Sequence, residues 1–149
     1  MKIEEAIKQI SFPNQIEKVM VNVIYTGNFF NSLNIKRFKL HGISPEQYNV
    51  LRILRGSHPK SLSILDVSSR MLNRNSNATR LVEKLRVKGL LVRRVCEKDR
   101  RQVDIAISDK GLELLQIIDV EMKEWMDNFN DLTNEESVQL NFLLDKMRG

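Results

Sequence analysis

The fold turns on the stretch Lys98-Asp99-Arg100-Arg101-Gln102-Val103-Asp104-Ile105-Ala106-Ile107-Ser108-Asp109-Lys110-Gly111. Val103, Ile105 and Ile107 alternate with Gln102, Asp104 and Ala106, the period of two expected of a strand with one buried face. Ahead of the charged turn, Leu90 to Cys96 is a second short run of apolar and β-branched residues. Two strands joined by Glu97 to Arg101 make a β-hairpin whose tip carries Lys98, Arg100 and Arg101. Ser108 then starts a helix.

Working upstream, Asn73-Arg74-Asn75-Ser76 reads as a turn, and Asn75 or Ser76 is expected to cap the helix that follows. That helix turns Leu81, Val82 and Leu85 inward and Asn77, Arg80 and Lys84 outward, and Gly89 closes it. Ser63 and Asp66 predict a capping box for a short helix through Met71. Ser44-Pro45-Glu46-Gln47 predicts another helix start, because Ser caps, Pro fits the first turn and Gln47 completes the box. Its Tyr48, Val50, Leu51, Ile53 and Leu54 predict burial on most sides.

The ends of the chain are helical as well. Ile3, Ile7 and Ile10 fall at helical spacing, and a longer helix carries Ile16, Val19, Met20, Val23, Ile24, Phe30 and Leu33 on roughly one side. Leu112, Leu115, Ile118, Met122, Trp125 and Phe129 form a stripe after Ser108, and a last helix capped by Thr133 and Glu136 bears Leu140, Leu143, Leu144 and Met147. Terminal helices with apolar stripes in a small chain predict a helical dimer interface. The reading is therefore a single chain, 1–149, mostly α with a small β-hairpin wing. A winged helix-turn-helix occupies 44–107, flanked by dimerisation helices at 1–38 and 109–147.

Charge is distributed unevenly. The net charge is +5, but from Arg70 to Arg101 eleven Lys and Arg stand against three acids, while the last 31 residues hold eight acids against three bases. The middle segment is suited to a polyanion. A short helix, a tight turn and a second helix rich in Asn, Ser, Thr and Arg present small polar side chains to base edges, and a cationic hairpin tip suits phosphates and the narrow minor groove. Asn75, Ser76, Asn77, Thr79, Arg80 and Lys84 are the candidate residues on the helix, and Asp99, Arg100 and Arg101 those on the wing.

In these motifs the chain resembles the MarR family of transcriptional regulators. The family pattern of Asp-x-Arg in the wing, alternating aliphatics, then Thr or Ser followed three residues on by Gly, matches Asp99-Arg100-Arg101, Ile105, Ile107, Ser108 and Gly111. Thr79-Arg80-Leu81-Val82-Glu83-Lys84-Leu85 and Lys88-Gly89-Leu90 look like its recognition helix and exit. Ala78 departs from it, where a larger aliphatic is common, and Asn73-Arg74-Asn75 is a more polar and basic turn than usual. The resemblance implies a homodimer, with the first and last helices interlocking, on a pseudo-palindromic double-stranded DNA site. It also implies that Arg101 enters the minor groove, that Asp99 orients it, and that Arg100 supports on phosphate. It further implies a repressor relieved by a small aromatic or phenolic ligand, for which Tyr25, Phe29, Phe30 and Tyr48 are the candidate lining.

Alternatives follow from other features. Winged helices also serve as protein-interaction adaptors without specific DNA binding, and Cys96, beside Arg94, Lys98 and Arg100, offers a redox-responsive regulator. A single cysteine excludes an internal disulfide and any Cys-based zinc site, and His41 and His58 lack further ligands at metal spacing. No cofactor or metal is expected. No Gly-rich phosphate loop, nucleophile elbow or His-Glu-x-x-His is present, so an enzyme is not expected. Met1-Lys2-Ile3-Glu4-Glu5 lacks the pattern of a signal peptide, and no apolar run approaches the roughly eighteen residues of a membrane span; the expected location is cytoplasmic.

Overall fold

Short polar side chains placed just ahead of apolar periodic segments set most helix starts. Ser44 Oγ accepts from the Gln47 N–H at 3.2 Å while Gln47 Oε1 accepts from the Ser44 N–H at 3.1 Å. Ser63 with Asp66 and Thr133 with Glu136 repeat the reciprocal arrangement, each pair satisfying two of the donors a helix start leaves free. The computed structural model describes residues 1–95, 103–128 and 131–149, with the side chains of Val95 and Val103 excepted. Its elements fall into two units, residues 1–111 and 112–149.

In the first unit, α1 (Ile3–Ile7) is tied to α2 (Gln15–Leu40) by a Glu4–Lys18 ion pair of 2.6 Å. At the end of α2, Ile43 N–H donates to Phe38 O and Gly42 N–H to Lys39 O, and Phe38 and Ile43 are both buried. This paired closure turns the chain directly into α3 (Pro45–Ser57), where the Tyr48 ring stacks on Phe38 with centroids 4.2 Å apart. Next come β1 (Leu62–Ser63), α4 (Ile64–Arg70), α5 (Ala78–Val87), β2 (Leu91–Val95) and β3 (Val103–Ile107). Val50, Leu51 and Leu54 of α3, Val67 of α4, Val82 and Leu85 of α5 and Ile105 of β3 are buried together with Leu90 and Leu91 and form the core.

The sheet is antiparallel in the order β1-β3-β2, with Leu62 opposite Ile105, and Leu91 opposite Ile107 through Val95 opposite Val103. Two expectations change here. The hairpin gains a third strand, β1, too short at two residues to show a period. The alternation also does not separate a buried from an open residue set in β3, since Ile105, Ala106 and Ile107 are all buried, while Val92, opposite Ala106, is exposed.

One junction fixes the path from α5 into the sheet and on to the next helix, α6 (Asp109–Asn128). Gly89, at φ +72°, lets Leu90 N–H reach back to Leu85 O at 3.0 Å and Gly89 N–H to Arg86 O at 2.9 Å, a helix ending that a side chain at this φ would strain. Ser108 N–H then donates to Leu90 O at 3.2 Å, and Ser108 Oγ donates to Gly89 O at 2.7 Å while accepting from Gly111 N–H at 3.1 Å. A Cβ on Gly111 would lie 2.3 Å from Leu90 O and 2.8 Å from Ile107 Cγ1, so only glycine fits. Lys110 Nζ closes the same corner on Lys88 O at 3.0 Å.

In the second unit α6 continues, with Leu115 and Ile118 buried, and α7 (Asn134–Arg148) buries no residue at all. Phe129 lies outside the described residues. Among those described, no helix is long and apolar enough to cross a membrane.

Gly111→Ala is expected to lower unfolding stability by about 1–3 kcal/mol, as overpacking does; a urea midpoint equal to wild type would contradict the close approach at Leu90. Ser63→Ala should cost about 1 kcal/mol as a lost cap. Asp66 is held below the usual carboxylate range by the Ser63 hydroxyl first and the Ser63 N–H second, so its contribution is full above the ordinary Asp pKa and lost as pH falls through the lowered one. Unfolding midpoints measured below about pH 4 should therefore fall less steeply in Asp66→Asn than in wild type.

Candidate nucleic-acid interface

α4, the turn after it and α5 are joined by side-chain contacts that leave one edge open. Met71 is buried behind the turn, and Leu72 N–H donates to Asn49 Oδ1 of α3 at 2.9 Å. Asn73 folds the turn on itself: its Oδ1 accepts from Asn75 N–H at 3.1 Å and its carbonyl from Ser76 N–H at 3.2 Å. Asn77, rather than Asn75 or Ser76, caps α5, its Oδ1 accepting from Arg80 N–H at 3.0 Å. The helix therefore starts one residue later than a Ser76 cap and two later than an Asn75 cap would place it: Asn77 keeps an extended backbone, and its carbonyl takes the first helical bond, from Leu81 N–H.

Ala78, Val82 and Leu85 face the core from α5, while Thr79, Arg80 and Lys84 are exposed. Asn75 and Asn77 are exposed as well and Ser76 is half-buried, so these six candidates line one turn and one helix edge. Asp99, Arg100 and Arg101 lie outside the described residues, as does Cys96. Among the described residues no carboxylate pairs with Arg74, Arg80 or Lys84. The first turn of α5 also contains no acid, whereas every other described helix has one there. Its positive end is therefore uncompensated and favours an approaching anion.

Sequence reading missed a second feature of α5. Glu83 accepts from Arg86 Nη2 at 2.7 Å and from Arg93 Nη2 of β2 at 2.9 Å. The hydrogen bonds from Arg86 are the chief cause of a Glu83 carboxyl held below its ordinary range, with desolvation opposing and the charges of Arg86 and Arg93 assisting; the same bonds raise Arg86. The i, i+3 spacing of Glu83 and Arg86 was legible, but the partner ten residues away on the sheet was not.

The aromatic candidates separate into two places. Phe29 and Phe30 meet edge to face at 5.6 Å on α2, with Tyr25 exposed one turn earlier. Tyr48 sits against Phe38 and beneath the Arg52 guanidinium, 5.9 Å away, and Phe38 is about 12 Å along α2 from Phe30 at the rise of a helix. Among the described residues no group of three His, Cys, Asp or Glu side chains could hold a metal ion.

Known proteins share this arrangement. Residues 41–102, from the end of α2 to the wing, match the MarR family. The HTH-type transcriptional regulator YkoM of Bacillus subtilis (strain 168) is 34% identical over 114 residues, which span 76% of this chain and 73% of that protein. The S. aureus MepR–DNA complex aligns with a TM-score of 0.74 at 19% identity, over 86% of this chain and 92% of that one. The organohalide-sensing regulator RdhR in its 2,4-dichlorophenol-bound form aligns with a TM-score of 0.75 at 18% identity, over 93% and 86%. At such identities the two structures speak for the fold, a winged helix-turn-helix, and YkoM and the matched segment for the kinship. By fold and sequence together, the chain belongs to the MarR family of transcriptional regulators.

Proposed function

We propose that this protein is a sequence-specific repressor that binds a pseudo-palindromic double-stranded DNA operator as a homodimer and is released by a small ligand. The observation that carries the reading is the α5 edge, where Thr79, Arg80 and Lys84 stand exposed beside a helix start without an acid, on a helix anchored by Val82 and Leu85. Such an edge offers donors to bases and phosphates from a rigid support. The MepR structure, a DNA complex, supports the assignment by likeness of fold. On this reading Asn75, Ser76 and Asn77 extend the edge along the groove, Arg101 enters the minor groove, Asp99 orients it and Arg100 rests on phosphate.

The dimer accounts for apolar surface that each unit leaves open. Ile16, Ile24 and Met20 of α2 are 75%, 64% and 51% exposed, and Val138 and Phe142 of α7 are each 62% exposed. Contiguous apolar surface of this kind marks an interaction site. For the ligand, Tyr25, Phe29 and Phe30 supply aromatic surface on α2 and Tyr48 on α3, and RdhR carries a chlorophenol in the same fold.

Selection of bound duplexes from a random pool tests the proposal. Wild-type protein should recover an inverted repeat with half-sites about one helical turn apart. Arg80→Ala should weaken that site by about 1–3 kcal/mol and relax base preference in each half-site, while Arg101→Ala should cost a similar amount and make the salt slope shallower by about 1. Recovery of no motif would favour the protein-adaptor reading. On the selected duplex, 2,4-dichlorophenol should weaken wild-type binding and leave Phe29→Ala unaffected; equal response in both would remove Phe29 from the ligand site.

A further inference from the structure

Between residues 70 and 95 the chain carries a single acid, Glu83, among eight Lys and Arg. A carboxylate on a surface that meets phosphates opposes binding to every sequence alike. The place of Glu83 shows what it does instead. It stands three residues after Arg80, near enough on a helix to pair with it, yet its oxygens turn the other way. Oε1 takes Arg86 Nη2 at 2.7 Å, Oε2 takes Arg93 Nη2 at 2.9 Å, and Arg86 Nε lies 3.2 Å from both.

We propose that Glu83 is a positioning residue for DNA specificity, joining the recognition helix α5 to the wing strand β2 through Arg93 and withholding Arg86 and Arg93 from indiscriminate phosphate contact. The inference rests on the DNA-binding reading above. An isolated exposed ion pair contributes little, but here one carboxylate restrains two guanidinium groups on two elements. The helix and the wing must engage one duplex together, so a fixed angle between them favours the matched site. Two cations sharing one anion also leave a smaller net charge for any duplex to attract. Loss of Glu83 therefore acts in opposite directions, weakening the matched site and strengthening the unmatched one. A merely structural role would weaken both.

The test compares the full-length wild type, Glu83→Gln, Arg93→Gln and the double variant on two duplexes, the inverted repeat selected by wild type and a shuffled sequence of equal composition, each over a salt series. Glu83→Gln should lower the ratio of matched to shuffled affinity about five- to twentyfold, bind the shuffled duplex more tightly and steepen its salt slope by up to about 0.9. Arg93→Gln should lose matched affinity without that gain. The double variant should lose no more matched affinity than the worse single variant, because both break one link. An unchanged ratio in Glu83→Gln, or additive losses in the double variant, would overturn the inference alone. A wild type that selects no repeat would overturn the DNA-recognition reading and the inference with it.

Discussion

The carbonyl of Leu90 is the point on which the first unit is registered. It receives the Ser108 N–H and lies so close to Gly111 that no side chain fits between them. One residue earlier, Gly89 reverses the backbone out of α5, and its carbonyl takes the Ser108 hydroxyl. Thus the end of α5, the start of β2, the end of β3 and the start of α6 meet at one corner of the backbone. The path of the chain out of α5 and into α6 is set at this corner by hydrogen bonds of narrow geometry, and farther along the Glu83–Arg93 pair spans α5 and β2.

Upon that frame, charge is sorted by face. The core side of α5 is Ala78, Val82 and Leu85, a spacing of four and three that makes one stripe of a helix. Arg80 and Lys84, four apart, form a cationic stripe on another side, and Glu83 with Arg86 forms a third that reaches β2. Acids stand at the starts of the other helices, where they compensate the helix dipole, and are withheld from the start of α5. The partition matters more than the net charge, since a total of +5 is compatible with many arrangements that bind nothing.

How much of this the sequence disclosed depends on the range of the interactions involved. The Ser44, Ser63 and Thr133 boxes were readable because both partners lie within four residues and have restricted chemistry. Ser108 and Gly111 could be recognised as a motif, but the reason for it, the close approach of both to the backbone at Gly89 and Leu90, lies in a segment distant along the chain. β1 was invisible because two residues carry no period, and its pairing with Ile105 and Asp104 depends on the sheet. The burial of Ala106 was missed because it depends on neighbours outside its own strand: its small side chain lies opposite Val92 on the face of the sheet where Val92 itself is exposed. Arg93 looked like one more surface cation until the fold brought it to Glu83.

The cap of α5 shows how such a local shift constrains recognition. Placing the cap at Asn75 or Ser76 leaves the Asn77 carboxamide whole, with an acceptor and donors side by side, the combination that pairs with both N6 and N7 of adenine. In the structure Asn77 Oδ1 is committed to the Arg80 N–H. Its two amide N–H donors and one lone pair of Oδ1 remain, but the orientation of the carboxamide is now set by the helix; on the DNA-binding reading the two donors suit purine N7, guanine O6 or thymine O4. The same bond holds Arg80 in the helix from its own backbone, so the residue that caps also sets where the neighbouring guanidinium begins. On the DNA-binding reading, Asn77 serves the helix with one end of its side chain and offers the other to a base edge, and exchanging it for a residue that caps equally well, such as Ser or Asp, would keep the helix while removing the amide donors.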